Sequence, residues 1–264
     1  MDLGLKGRRA LVTGSTQGIG FAIAAALARE GAAVVVNGRQ PARVEAAVAR
    51  IRDDGGAGEV SGVAADLGTA EGCAAVVRQV PDVDILVNNA GIFEPRPFAE
   101  IADAEWDRML AVNLMSGVRL SRHYFPRMLE RDWGRVVFVS SESGVQIPAE
   151  MIHYGVSKTA QIALARGMAE LTAGTRVTVN SVLPGPTASE GVSTFVAQVG
   201  RSRGLDAQQM EQEFFRSVRP SSLIKRFATP EEVAATVVFV CSARASAVNG
   251  AALRADGGVV RAIL

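Results

Sequence analysis

The chain has 264 residues, 48% of them hydrophobic, which is long enough and apolar enough for one large α/β domain with its sheet covered on both faces. Its 28 Lys and Arg against 27 Asp and Glu leave a net charge of +1, and there is no basic block or aromatic-rich basic patch, so nucleic acid and anionic membranes are not expected partners. No apolar run reaches the length that spans a bilayer, and Cys73 and Cys241 lack metal-ligand spacing; the expectation is a cytoplasmic protein with two buried free thiols and no metal.

Apolar runs at Ala10–Val12, Ala32–Val36, Gly62–Ala64, Asp84–Val87, Val136–Val139, Val177–Val182 and Ala251–Leu253 alternate with helix-length segments. That alternation predicts a Rossmann-like, doubly wound α/β fold: about seven parallel strands, helices on both faces, and ligands at the strands' carboxyl ends. With no linker or internal repeat, residues 1–264 read as a single domain.

The first run ends at Thr13 and leads into Gly14-Ser15-Thr16-Gln17-Gly18-Ile19-Gly20, followed by the alanine-rich stretch Phe21–Arg29. A strand that turns on glycines into a helix start presents free N–H groups and the positive end of the helix dipole to an anion, with no Cβ in the way. The spacing is G-x-x-x-G-x-G rather than G-x-G-x-x-G, and glycines at such a turn can also serve backbone geometry alone. Farther on, Tyr154 and Lys158 stand four apart where a helix begins. On a helix, that spacing puts the two side chains on one face about 5–6 Å apart, so the ammonium lies beside the phenol, where it lowers the phenol's pKa from about 10 and makes it a proton donor. The alternative is an incidental pair in solvent.

Taken together, Thr13-Gly14-x-x-x-Gly18-Ile19-Gly20, Asn88-Asn89-Ala90-Gly91, Asn113, Ser141, Tyr154-x-x-x-Lys158, Pro184-Gly185-Pro186-Thr187 and Asp256-Gly257-Gly258 resemble the ordered motif set of the short-chain dehydrogenase/reductases. The resemblance covers almost the whole chain and leans toward the 3-oxoacyl-(acyl-carrier-protein) reductase branch. It implies that Tyr154 is the catalytic acid and that Lys158 lowers its pKa while binding the nicotinamide ribose. Ser141 would donate to the substrate carbonyl, with Ser140 or Ser143 stabilising the turn. The main-chain carbonyl of Asn113 would hold a water in a proton relay to the lysine, unless its amide only satisfies local backbone groups.

For the cofactor, the resemblance places Gly14, Ser15, Gln17, Gly18, Ile19 and Gly20 at the pyrophosphate. Asp66 and Leu67 would lie at the adenine, Asn88, Ala90 and Gly91 over the adenosine ribose, and Pro184, Gly185 and Thr187 at the carboxamide. At Asn37-Gly38-Arg39 the family position that carries aspartate in NAD-binding members is Gly38, and Arg39 follows it. A guanidinium pairs with a 2'-phosphate that a carboxylate would repel, so NADP(H) is the expected cofactor. Arg39 free in solvent, and Asp66 as a plain loop carboxylate, are the competing readings.

Residues 188–219 fall where the family varies and a substrate lid forms, with Val192, Phe195, Val196, Val199, Met210, Phe214 and Phe215 as its apolar positions. Glu142, next to Ser141, and His153, before Tyr154, could touch a polar substrate or merely face solvent, and the expectation is solvent. The expected activity is NADP(H)-dependent hydride transfer between nicotinamide and a ketone or secondary alcohol. A 3-oxoacyl thioester leads over a cyclic ketone, sugar or steroid, and a catalytically idle dinucleotide-binding module is the alternative. The family also implies a homodimer or homotetramer, packed through helices at Asp103–Glu130 and His153–Thr172 and through the C-terminal segment Ala251–Leu264.

Overall fold

All seven expected strands form: β1 (Arg9–Val12), β2 (Ala33–Gly38), β3 (Val60–Ala64), β4 (Ile85–Asn88), β5 (Gly134–Val139), β6 (Val177–Pro184) and β7 (Ala252–Ala255). The structure, a computed structural model, describes residues 2–56, 58–189 and 206–263. Every neighbouring strand pair is parallel, in the order β3-β2-β1-β4-β5-β6-β7. Strand order reverses between β1 and β4, which opens a crevice at their carboxyl ends.

Alternation along the strands splits the core in two. Ala10 and Val12 of β1 pack with α1 (Gly18–Arg29), α2 (Pro41–Asp53) and α8 (Pro230–Cys241), whereas Leu11 packs on the other face with α3 (Ala70–Gln79), α5 (Ser116–Glu130) and α6 (Ile152–Glu170). Both faces of the central strands are therefore buried, which is why stretches such as Ala10–Val12 of β1, Ile85–Val87 of β4 and Val136–Val139 of β5 read as unbroken apolar runs rather than alternating ones. Leu86 in β4 is fully buried, and truncating such a residue to Ala costs about 2–5 kcal/mol.

Two elements differ from expectation. The helix expected over Asp103–Glu130 is α4 (Asp103–Leu110) and α5 joined by a π-helical segment, Ala111–Met115, with Asn113 at its centre. The wider turn accommodates an asparagine whose side chain is engaged outside its own helix, as described below. Helix α6 starts two residues before Tyr154, so Tyr154 and Lys158 occupy its first two turns. Within the expected lid, α7 (Ala207–Ser217) is described, while Val192, Phe195, Val196 and Val199 lie outside the described residues.

Candidate active site

The strand β1 carries Thr13 to the crevice, where Thr13 Oγ1 accepts from the main-chain N–H groups of Asn89 and Ala90 at 2.8 and 2.9 Å. Asn89 Nδ2 donates back to Thr13 O and Gly14 O at 2.9 and 3.0 Å, clamping the glycine turn to the loop after β4. The clamp excludes side chains. Gly14 has φ +60°, and a Cβ there would lie 2.9 Å from Ala90 Cα; a Cβ on Gly20 would overlap Asn89 Nδ2 and Gly14 O. At the start of α1, Gln17 provides no side-chain cap, so the first-turn N–H groups keep their positive potential for an anion.

The predicted cofactor residues divide by what their side chains do. Ile19, Gly91, Pro184, Gly185 and Thr187 line a cleft of about 730 Å³ together with Ser141, Tyr154 and Lys158. Ser15 and Asn37 are buried and act as scaffold: Ser15 Oγ donates to Val12 O and accepts from Asn37 N, while Asn37 Nδ2 reaches Val63 O and its Oδ1 accepts from Gly14 N. Asp66 Oδ1 accepts from Gly68 N and shapes its own turn, and Leu67 lies in the core. Asn88 turns away from the cleft, its Nδ2 donating to Ser121 on α5. The neighbour that lines the cleft is Asn89, one residue past the end of β4, quoted in the motif but not singled out.

Beyond β2, Arg39 is exposed, and so is Arg43 in the first turn of α2, where Arg43 Nη1 lies 3.5 Å from Gln17 Oε1. Arg43 was not singled out from the sequence; Arg39 lies in the loop before α2 and Arg43 in its first turn, so no helical spacing links the two. A Cβ on Gly38 would sit 2.5 Å from Thr16 Cγ2, so the position that lacks a carboxylate is also packed against the glycine turn.

At the opposite end of the cleft, Ser141 follows β5, and its hydroxyl donates to Glu142 Oε2 at 2.5 Å while accepting from Ser143 N. Glu142 was expected in solvent; instead it is buried, because Arg219 Nε donates to its Oε1 at 2.9 Å and Ser143 N and Oγ donate to its Oε2. Arg219 also reaches Glu150 at 3.2 Å. His153 is buried as well, its ring set edge-on to Trp106 at 5.9 Å. Lys158 Nζ lies 5.7 Å from the Tyr154 ring centroid and donates to Val139 O at 2.9 Å. Asn113 is held by its side chain, with Oδ1 accepting from Ile92 N and Nδ2 donating to Ile92 O and Ser157 Oγ. Of the lid residues, Met210 and Phe214 line the cleft, and Phe215 meets Phe227 edge-on at 5.1 Å.

Residues 8–200 match the family described as short chain dehydrogenase. The chain belongs to that family. It is 48% identical over 263 residues to the uncharacterized oxidoreductase YvaG of Bacillus subtilis (strain 168), with all of both chains covered. The crystal structure of L-sorbose reductase from Gluconobacter frateurii, complexed with NADPH and L-sorbose, superposes over all of both chains with a TM-score of 0.92 at 33% identity. The 3-oxoacyl-[acyl-carrier-protein] reductase FabG of Aquifex aeolicus is 31% identical, covering 98% of this chain and 100% of its own. The expected lean toward that branch is thus a distant likeness, exceeded by closer relatives.

The electrostatics of this short-chain dehydrogenase revise one expectation. Burial pushes the Tyr154 phenol above its ordinary pKa, a hydrogen bond with Ser141 and the charge of Arg219 lower it, and Glu142 raises it. Lys158 is itself buried, and that burial lowers its pKa to about 7.

Proposed function

We propose that this enzyme transfers hydride between NADP(H) and an uncharged or weakly polar ketone or secondary alcohol, with Tyr154 as the proton donor and acceptor. The observation that carries the reading is the convergence of Tyr154, Ser141 and Lys158, from two separate segments, on the cleft that the clamped glycine turn and the Pro184–Thr187 loop also line. The residues present suit the cofactor: an uncapped helix start behind a turn too tight for side chains would take the pyrophosphate, and Arg39, with Arg43 nearby, would take the 2'-phosphate. When bound, the dinucleotide supplies or accepts the hydride. Tyr154 then delivers a proton to the developing alkoxide, and the Ser141 hydroxyl, once released from Glu142, donates to the same oxygen.

The similarity to a reductase crystallised with NADPH and L-sorbose, and the lesser similarity to FabG, support a carbonyl substrate and keep both polyhydroxy ketones and 3-oxoacyl thioesters in view. Phe93, Met151, Phe214, Val218 and Phe227 give the cleft an apolar wall suited to an acyl chain, while Glu150 and Arg219 in the same lining offer polar groups to a hydroxylated one. The test is NADPH consumption across a panel of simple ketones, ketoses and 3-oxoacyl thioesters. Turnover of at least one class, stopped by Tyr154→Phe, is expected; no turnover of any would favour the idle binding module. The chain is further read as one domain that acts in the cytoplasm as a homodimer or homotetramer. Exposed Val156 and Leu171 on or beside α6 support an interface there, and no helix among the described residues is long and apolar enough to cross a membrane. A monomer mass by light scattering at micromolar concentration would remove the assembly.

A further inference from the structure

The link between Asn113 and Lys158 is made by a side chain that no motif contains. Gln161 lies one turn beyond Lys158 on α6 and is 1% exposed. Its Nε2 donates to the main-chain carbonyl of Asn113, and its Oε1 accepts from Lys158 Nζ at 3.3 Å. The amide orientation follows from its partners: an ammonium only donates and a carbonyl only accepts, so the reverse orientation would leave both facing like groups. Asn113 cannot drift, because its side chain is bonded to Ile92 and Ser157 inside the π segment. The ammonium is thus held between a carbonyl at the end of β5 and an amide anchored to the opposite helix.

We propose that Gln161 is the positioning residue for Lys158: its amide spans the ammonium and the Asn113 carbonyl, the connection that the family resemblance assigns to a water, and so fixes where the cation sits beside Tyr154. The inference rests on the reading of Lys158 as part of the site. A purely structural amide would satisfy the Asn113 carbonyl and be indifferent to the charge on Lys158. A positioning amide sets how readily that nitrogen keeps its proton. Few other groups compete for this control. Tyr154 stands on the same helix, Glu142 and Arg219, from the turn after β5 and the segment after α7, act on Tyr154, and burial lowers the pKa of Lys158, leaving its acceptors Val139 O and Gln161 Oε1 to hold the proton.

The chain contains three lysines, Lys6, Lys158 and Lys225, so protein labelled with 13Cε-lysine gives three signals, and Lys158→Met identifies the one of interest. In the wild type that signal should titrate near pH 7. Gln161→Glu, which puts a carboxylate against the ammonium, should move the midpoint up by about one to three pH units. Gln161→Met, nearly the same shape without an acceptor, should move it down. In kcat/KM for NADPH, the loss caused by Gln161→Met should be larger at pH 8 than at pH 6, since more of the lysine is then neutral. Midpoints that coincide in all three proteins, or that shift in the same direction in both variants, would overturn the proposal, and the Glu variant decides it even where the Met variant fails to fold. Because the titration is read without substrate, opposite shifts in a protein that turns over no carbonyl would leave Gln161 in place and remove the proposed activity instead.

Discussion

At the glycine-turn end of the cleft, the contacts that shape the site run between main chains and short side chains: Thr13 with Asn89 and Ala90, Asn37 with Gly14 and Ser15. The charges there, Arg39 and Arg43, are exposed. At the Ser141 end, the contacts run between buried charged and amide side chains: Glu142 with Arg219, Gln161 with Lys158. One end excludes atoms so that an anion can approach; the other spends ion pairs to hold hydroxyls and an ammonium in fixed places. Substitutions should therefore act at the first end on affinity alone, and at the second on rate and stability together.

The largest effect should come from the catalytic end. Tyr154→Phe removes the transferable proton and little bulk, and should lower kcat by about 10²- to 10⁴-fold with NADPH affinity nearly unchanged. Pre-steady-state and steady-state rates within a few fold of wild type would remove Tyr154 as the acid. Next is the ion pair. Arg219→Met leaves Glu142 buried without its cation, which should cost roughly 3–5 kcal/mol of stability and also free the segment after α7 from Glu142 and Glu150. Pairing it with Glu142→Gln should recover much of that loss, since no uncompensated charge remains. If denaturant melts show the single variant losing under about 1 kcal/mol, the pair is not holding the catalytic end together.

These two predictions differ in how visible they were beforehand. Tyr154 and Lys158 are four residues apart on one helix, and Thr13–Gly20 is one turn, so short-range spacing exposed them. The strands were legible because burial on both faces leaves runs such as Ala10–Val12 and Val136–Val139 wholly apolar. Glu142 and His153 were expected in water because charged and imidazole groups are seldom buried without a partner. For Glu142 that partner is Arg219, 77 residues away, and for Gln161 it is the Asn113 carbonyl, 48 residues away. No local pattern carries such pairings; the fold creates them. The π segment escaped for the same reason, since its apolar periodicity differs from an α-helix by a single residue.

At the cofactor end the effect should be smaller and confined to binding. Arg39→Ala should weaken NADPH about ten- to a hundredfold, the loss of one charge-assisted phosphate contact, and leave NADH almost unaffected. Arg43→Ala tests whether the second arginine shares the phosphate. Adding Gly38→Asp would not be a clean reversal of preference, because the new Cβ meets Thr16 and disturbs the glycine turn as well. Equal losses for both cofactors in Arg39→Ala, measured by fluorescence titration, would show that Arg39 does not select the phosphate.

A pH-dependent effect joins the two kinds of construction, because Lys158 is a charge held in the catalytic end with no anion beside it among the described residues. Its pKa falls from an ordinary 10.5 to about 7 through burial. Between those values the unfolded chain binds a proton that the native chain does not, so wild-type stability should rise with pH from about 7 to about 10, and the cost of the buried charge should be present in full below 7. Lys158→Met has no such titration. The difference in melting temperature, wild type minus variant, should therefore climb by on the order of ten degrees across that window, other titrating groups cancelling between the two proteins. Part of the variant's gain at low pH is offset because Val139 O and Gln161 Oε1 lose their donor. The slope is the informative quantity rather than its sign at any one pH. A flat difference from pH 6 to 10 would mean that Lys158 keeps an ordinary pKa in the folded protein, and that the catalytic end is less desolvated than its packing implies.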